Sequence, residues 1–146
     1  MKTALLLPLS LCACVIPVAL PLPLTNPQPM QIYGQWQLTE VNRKQVDYAD
    51  AVMTILSTDR QFNIRTNCNH VFGQYQNDSA AKKLSFQGLS STLKACPDMR
   101  LEQQLSQTLP KVGSYRFNGK FIEMTDNENR VILQARRIND QAPKLK

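Results

Sequence analysis

The stretch Ser114–Thr125, SYRFNGKFIEMT, decides the fold class of this chain. Two short runs rich in apolar residues, Ser114–Phe117 and Phe121–Thr125, flank the pair Asn118-Gly119. Asn and Gly both tolerate the positive φ angles that a two-residue turn between antiparallel strands requires. The stretch therefore predicts a tight β-hairpin.

Similar short runs continue along the chain on both sides of this hairpin. Each contains β-branched or alternating apolar residues and is bounded by turn-forming residues, which is typical of strands. We predict strands at Gln35–Asn42, Ala51–Ser57, Gln61–Thr66, Val71–Gln76, Leu84–Leu89 and Arg130–Arg136. A polar loop is expected between the fourth and fifth of these.

One segment has a helical pattern instead. Pro97 suits the first position of a helix, and Asp98 and Glu102 place negative charge near its N-terminus. Pro110 is expected to end it. An apolar stripe that we expect to pack on the sheet is formed by Leu101, Leu105 and Leu109. The fold class is therefore mainly β (α+β), with antiparallel strands and one packed α-helix.

Composition and charge restrict the class of protein further. The chain has 146 residues and a net charge of +6, with 42% hydrophobic residues, which suits one folded domain. After Lys2 there is no charged residue until Glu40. The basic residues are scattered and are not interleaved with aromatic residues, so we do not expect nucleic-acid binding.

The N-terminal residues read as a bacterial export signal. Lys2 precedes the apolar run Ala4–Leu11, which is too short to span a bilayer as a helix. The following Leu11-Cys12-Ala13-Cys14 resembles the lipobox of bacterial lipoproteins, in which the cysteine after the cut is acylated. The resemblance implies lipidation of Cys14. Cleavage elsewhere by the ordinary signal peptidase, retention of the segment 3–24 as an anchor, and a misassigned start codon remain alternatives.

These observations divide the chain into four parts. Residues 1–13 form the lipoprotein signal peptide, and residues 14–33 form a lipid-anchored tether that is rich in proline and semi-rigid. Residues 34–138 form the domain, and residues 139–146 are expected to form a flexible tail. Because Val15 rather than Asp follows Cys14, the resemblance to enterobacterial lipoproteins implies a place in the outer membrane, facing the periplasm.

The cysteines fit an oxidising compartment. If the chain is cut before Cys14, the two thiols that remain are Cys68 and Cys96. Such a pair invites a disulfide, which would contribute on the order of 3 kcal/mol by closing its loop. Two free buried thiols and a metal site with His70 are the alternatives, although a fourth metal ligand is missing from the pattern.

No catalytic motif stands out. His70 is the only histidine, and Cys68 and His70 would face the same side of a strand, as a nucleophile and its base would. A disulfide-bonded Cys68 cannot attack a substrate, however, and no third group orients the pair. The sequence also lacks a phosphate-binding glycine loop, a zinc-protease helix and a nucleophile elbow.

Two segments carry a family resemblance. The segment NCNHVFGQY (residues 67–75) resembles the Gly-Cys-Asn-x-Phe-x-Gly-x-Tyr motif of the META domain. The segment LSSTLKACP (residues 89–97) resembles its Leu-x-x-Thr-x-x-x-Cys-Pro motif. The segment departs from the motif in three ways: Asn67 replaces the usual glycine, one extra residue lies between Cys68-Asn69 and Phe72, and His70-Val71 replaces a common Arg-Phe. The resemblance covers roughly residues 34–137.

The resemblance implies a compact, barrel-like antiparallel sheet with one helix, and it favours the Cys68–Cys96 disulfide. The family includes heat-inducible envelope proteins of the HslJ type, implicated in resistance to novobiocin, and it brings no catalytic residue, metal or cofactor. We therefore expect a monomeric, non-enzymatic envelope lipoprotein, held to the membrane through Cys14. It would support stress or antibiotic tolerance by binding an envelope protein or a small molecule.

The alternative function is inhibition of a hydrolase such as lysozyme, since small disulfide-bonded β-barrel lipoproteins of that kind exist. The basic charge of this chain disfavours the commonest lysozymes, which are themselves basic. An enzyme is the third hypothesis, and a deep pocket lined by clustered polar groups would point to one.

Overall fold

The structure, a computed structural model, describes residues 30–139, which form nine strands and one α-helix. In chain order these are β1 (Gly34–Val41), β2 (Lys44–Gln45), β3 (Val52–Ile55), β4 (Gln61–Arg65), β5 (His70–Asp78), β6 (Lys83–Ser91), α1 (Arg100–Thr108), β7 (Ser114–Asn118), β8 (Phe121–Thr125) and β9 (Val131–Asn139). A short 3₁₀ turn, Leu109–Lys111, follows α1.

The strands form a closed antiparallel barrel of eight strands. Apart from β2, which pairs only with β1, each strand pairs with its neighbour in sequence, and β9 returns to pair with β1. Trp36 lies opposite Arg137 and Leu38 opposite Ala135 in this closing pair. The predicted mainly β, barrel-like architecture with one helix is confirmed.

Alternation along the strands fills the interior. In β1 the buried residues Trp36 and Leu38 alternate with half-buried Gln35 and Gln37, as expected for a wall with one inner face. The ring of Phe62 meets that of Phe86 edge to face, with centroids 4.7 Å apart. Each such pair adds about 0.5–1.5 kcal/mol beyond the burial of its apolar area.

The helix lies beside the end of the barrel at which β1 and β4 end. The Asn42 amide donates to the Thr108 hydroxyl at 2.6 Å, just after β1, and Glu102 contacts Thr66, just after β4. The predicted apolar stripe is buried: Leu101, Leu105 and Leu109. Among residues 30–139, no helix is long and apolar enough to cross a membrane.

The start of the helix differs from the prediction. Pro97 does not occupy the first helical position, because α1 begins at Arg100. Asp98 explains the delay: its carboxylate accepts hydrogen bonds from the main-chain N–H and the guanidinium of Arg100 and from the hydroxyl of Tyr48. These bonds hold Asp98 in a non-helical position ahead of the first helical residue.

The opposite end of the barrel receives the incoming chain. Ile32 is buried, its carbonyl oxygen accepts a hydrogen bond from the Trp36 indole at 2.7 Å, and Arg137 donates to the Gln31 carbonyl at 2.6 Å. The packed part of the chain therefore begins ahead of Gly34. Asn139, which the sequence analysis assigned to the tail, is the last residue of β9.

Strand register assigns the connections to these two ends. We name one end the tether end, and it is formed by residues 30–33, 57–60, 78–83, 118–120 and 137–138. We call the motif end the part formed by residues 42–51, 65–69 and 92–102 and the turn at 126–130.

Candidate functional site

A buried hydrogen-bond network at the motif end joins the two segments that carry the family motifs. The Glu102 side chain is only 5% exposed, and its Oε1 accepts from the main-chain N–H of Asn69 at 3.1 Å. Its Oε2 accepts from the Asn69 side-chain amide at 3.0 Å, and the Thr66 hydroxyl lies 3.0 Å from Oε1. A buried carboxylate is tolerated here because donors surround it.

The Asn69 side chain also holds the second motif. Its Oδ1 accepts from the Thr92 hydroxyl at 2.7 Å and from the main-chain N–H of Lys94 at 2.9 Å. Its Nδ2 donates to the Lys94 carbonyl as well as to Glu102. All the hydrogen-bonding positions of this amide are occupied within the protein, so it positions the chain rather than a ligand.

The structure joins Cys68 and Cys96 by a disulfide, with the two Cα atoms 6.3 Å apart. The bond ties the loop after β4 to the loop before α1, beside the Asn69 network. A Cys68 sulfur in a disulfide is no nucleophile and no metal ligand. Among residues 30–139 no cluster of three acidic, histidine or cysteine side chains could hold a metal ion. Cys14 lies outside the described residues.

The side chain of His70 is not part of this network. It begins β5, its side chain is half-buried, and its Nδ1 lies 3.2 Å from the Asn63 side-chain oxygen. Its main-chain N–H donates to the Thr92 hydroxyl at 3.1 Å. The contacts of His70 therefore support packing between β4 and β5 rather than a Cys–His pair.

Two acidic side chains outside this network are held in their charged form. The hydrogen bonds from Arg100 and from the Tyr48 hydroxyl hold the pKa of Asp98 well below its usual range. On the barrel wall, Glu123 accepts from Asn118 at 3.1 Å and from Arg116 at 2.6 Å, which lowers the pKa of its carboxyl group despite burial. Both carboxylates have structural partners.

The feature that best suits a ligand lies at the tether end. A cleft of about 430 Å³ opens between the incoming chain and the turn that joins β5 to β6. Its lining residues are Met30, Gln31, Ile32, Tyr33, Asn77, Ser79, Ala80, Lys82 and Tyr115. Its volume is in the range of small-molecule sites, although it is open on one side.

Asn77 is the distinctive residue of this cleft. Its Oδ1 is buried and has no hydrogen-bond partner among the described residues. Leaving a buried acceptor unpaired costs about 1–3 kcal/mol, so most such groups have a partner. Asn77 also lines a second depression on its other side, with Arg60 and Asp78. A hydrogen-bond donor that reached this oxygen from either depression would satisfy it.

Aromatic rings and a cation complete the cleft. The Lys82 ammonium lies 5.7 Å from the ring centroid of Tyr115 and 5.9 Å from that of Phe117. Tyr115 is 4% exposed, and burial raises the pKa of its hydroxyl. Lys82 has a φ of 55°, a left-handed conformation at the end of the turn before β6. The arrangement provides an apolar wall with a positive charge above it.

Sequence reasoning did not identify the Asn77 cleft or the Glu102 network. Glu102 has a weak signal, because it lies three residues before Leu105 and so falls on the buried face of the helix. Asn77 has none in the sequence, where it reads as the first residue of a polar loop. The structure instead extends β5 to Asp78 and turns Asn77 towards the interior.

The chain is a small β-barrel domain: eight antiparallel strands close the barrel, and one short helix lies against it. A disulfide and a buried hydrogen-bond network join the loop after β4 to the helix and to the loop before it. Within the class of small β-barrel domains the chain belongs to the META domain family, since the family model matches residues 28–138. No curated protein matches the chain significantly.

Two solved structures have a similar fold. A DUF4847 family protein from Bacteroides vulgatus aligns with a TM-score of 0.55 and 12% identity, over 74% of this chain and 94% of that one. A protein from Burkholderia xenovorans, solved by NMR, aligns with a TM-score of 0.57 and 18% identity, over 73% and 83% of the two chains. At these identities the likeness concerns the fold alone. Neither the family nor these barrels indicates catalysis.

Proposed function

We propose that this chain is a non-enzymatic lipoprotein of the bacterial cell envelope, anchored through Cys14, that supports stress or antibiotic tolerance by binding a small molecule. The proposed location is the periplasmic face of the outer membrane. Membership of the META family supports the non-enzymatic role, since the family indicates no catalysis. So does the engagement of Cys68, Asn69 and Glu102 in a disulfide and in hydrogen bonds within the protein.

The observation that carries the proposal is the unpartnered Oδ1 of Asn77 beside a cleft that has a cation and aromatic rings. The ligand expected from these groups has a hydrogen-bond donor for Asn77 and a planar apolar part for Tyr115. A negative or electron-rich group would lie near Lys82. Drug-sized molecules with a planar body and polar substituents fit this description.

A thermal-shift screen of the mature protein tests the binding role, using novobiocin and other antibiotics that act on or cross the envelope. A ligand present at 100 times its Kd should stabilise the fold by about 2.7 kcal/mol. The cleft variant Lys82→Ala should reduce that stabilisation, whereas Lys44→Ala, at the motif end, should leave it unchanged. Equal stabilisation of the wild type, Lys82→Ala and Lys44→Ala would mean that the ligand binds elsewhere, and it would refute the cleft as the binding site.

Two further measurements test the anchor and the biological role. Intact mass with and without reductant reports acylation of Cys14 and the state of Cys68 and Cys96. A strain lacking the protein should become sensitive to envelope stress or to an antibiotic, and the wild-type gene should restore tolerance. An unmodified Cys14, or a full-length N-terminus, would refute the anchored form. Full restoration by a Cys14→Ala variant would show that the anchor is dispensable.

A second candidate, inhibition of a hydrolase, is supported by one feature of the motif end. Leu93 is 95% exposed in a loop that the Cys68–Cys96 disulfide and the bonds between Asn69 and Lys94 restrain. A restrained loop with an apolar tip loses little entropy when it enters a cleft. Potent lysozyme inhibition that Leu93→Asp abolishes would favour this candidate over small-molecule binding.

A further inference from the structure

The charges of the domain are distributed unequally between the two ends of the barrel. The tether end has five basic residues and two acidic ones: Arg60, Lys82, Lys83, Lys120 and Arg137 against Asp59 and Asp78. The motif end has six of each: Arg43, Lys44, Arg65, Lys94, Arg100 and Arg130 against Asp47, Asp50, Asp98, Glu102, Asp126 and Glu128. Three of these five tether-end cations are exposed lysines.

Ion pairs hold part of the motif-end charge and leave the net difference between the two ends unchanged. At the motif end Arg100 pairs with Asp98, and Arg130 pairs with both Asp126 and Glu128. Among residues 30–139, no salt bridge involves the exposed side chains of Arg60, Lys82, Lys83 or Lys120. With a net charge of +3 at the tether end (five basic minus two acidic residues) and zero at the motif end (six minus six), most of the excess positive charge of residues 30–139 lies at the end that receives the incoming chain.

Apolar side chains accompany this charge. Met30 is 37% exposed and Ile138 is 42% exposed, and both lie at the tether end, where the first described residues meet the end of β9. Half-buried Tyr33 lies beside Met30 in the cleft. Basic residues around exposed apolar and aromatic side chains are typical of surfaces that lie at a lipid interface.

The position of this surface selects its partner. Cys14 precedes Met30 by 16 residues, a distance of less than about 60 Å even for a fully extended chain. A domain held within that distance of a bilayer meets the lipid surface at high effective concentration, so a weak attraction suffices for docking. The end of the barrel from which the tether leaves can reach the surface without a turn of the chain.

We propose that the tether end docks on anionic phospholipid headgroups, so that the motif end projects away from the membrane. This inference rests on the proposed anchor at Cys14. Each basic side chain near an anionic surface strengthens its binding about fivefold, and salt weakens the attraction between exposed charges. Docking would also bring the Asn77 cleft to the lipid interface, where an amphipathic ligand would concentrate.

Hydrogen exchange of the full-length acylated protein on vesicles tests the inference. The protein is anchored in vesicles of phosphatidylcholine alone, or of phosphatidylcholine with about a third phosphatidylglycerol. The amides of residues 79–82 and 118–120 are compared with those of residues 42–51 and 126–130. We expect the tether-end amides to exchange at least about threefold more slowly on the anionic vesicles, and 0.5 M NaCl to remove the difference.

Matched charge reversals locate the contact. Lys83→Glu with Lys120→Glu should abolish the protection, whereas Lys44→Glu with Lys94→Glu, an equal change of charge at the motif end, should leave it intact. Equal protection on both kinds of vesicle, or equal loss with both pairs of variants, would overturn the inference. Protection by a soluble acidic polysaccharide in place of anionic vesicles would overturn it too.

The anchor and the docking surface fail in different ways. If Cys14 is not acylated, the protein will not float with vesicles of phosphatidylcholine alone, and the proposed anchor fails. If the protein floats with both vesicles but the tether-end amides exchange equally on each, the anchor stands and only the docking surface is refuted.

Discussion

Replacement of Glu102 by Gln should destabilise the domain by about 1.5–3 kcal/mol, although the two side chains have the same shape. The carboxylate accepts hydrogen bonds on both oxygens, from the main chain and the side chain of Asn69. A glutamine has one oxygen and one NH₂ group, so either orientation places NH₂ against a donor. The estimate is that of a lost bond to a charged group in a buried site.

The network cannot adapt by turning the Asn69 amide. Its Oδ1 already accepts from the Thr92 hydroxyl and the Lys94 N–H, and its Nδ2 already donates to the Lys94 carbonyl. A turned amide would therefore lose these bonds in order to gain one to the glutamine. The rigidity of Asn69 is what makes an isosteric change costly.

Urea unfolding of the oxidised protein measures the effect, with Glu128→Gln as the matched control. Glu128 is on the surface, its side chain 69% exposed, and its pairing with Arg130 should contribute less than about 1 kcal/mol. For a domain of this size the Glu102→Gln loss corresponds to a fall in Tm of roughly 10 °C. If both variants unfold at the wild-type urea concentration, Glu102 does not hold the two motifs together.

Three further outcomes are expected. Replacing Cys68 and Cys96 together by Ser should lower the free energy of unfolding by on the order of 3 kcal/mol, and reducing the wild-type disulfide should have the same effect. An unchanged urea midpoint in the double variant would contradict this. The pKa of Glu123 in the folded protein lies below its ordinary 4.5, so the charged carboxylate stabilises the fold above about pH 4.5, and this stabilisation is lost as the pH falls through the folded-state pKa. The urea midpoint should therefore decline less steeply below pH 4.5 in Glu123→Gln than in the wild type. Identical slopes in the two proteins would refute this role of Glu123. Gly73→Ala should lower the free energy of unfolding by about 1–3 kcal/mol, because the new Cβ would lie 2.7 Å and 3.0 Å from carbonyl oxygens of β6. The control variant Gln74→Ala, at an exposed neighbouring position, should have nearly the wild-type urea midpoint.

Local patterns in the sequence were sufficient for most strands and for the hairpin. The predicted hairpin is present between β7 and β8, but its two-residue turn is Gly119-Lys120 rather than Asn118-Gly119, because Asn118 pairs with Phe121 as the last residue of β7. Of the two predicted turn residues, Gly119 has the positive φ, 56°. The sequence analysis missed β2, Lys44–Gln45, because a strand of two exposed residues has no apolar alternation. The predicted helix start was wrong because the Asp98 side chain is bonded to Tyr48, which is 50 residues away, and propensity rules read only neighbouring residues.

The candidate site was less accessible to sequence reasoning. The motif cysteines indicated a pairing, but no pattern shows that Asn69 and Glu102 share a buried network, since they are 33 residues apart. The unpaired oxygen of Asn77 depends on the curvature of the barrel wall, which leaves room on both sides of that residue. The unequal distribution of charge between the two ends likewise depends on strand register, because basic residues that are scattered along the sequence are brought together at the tether end by the strand pairing.

The closing pair of strands has a consequence for how this domain is made. The Thr39 hydroxyl donates to the carbonyl of Gln134, which is 95 residues away. The sheet therefore cannot close until β9, the last strand of the chain, pairs with β1. Contacts of such long range slow folding, and a nascent or truncated chain without β9 would present two unpaired strand edges. The last strand is therefore the segment whose loss should most promote aggregation.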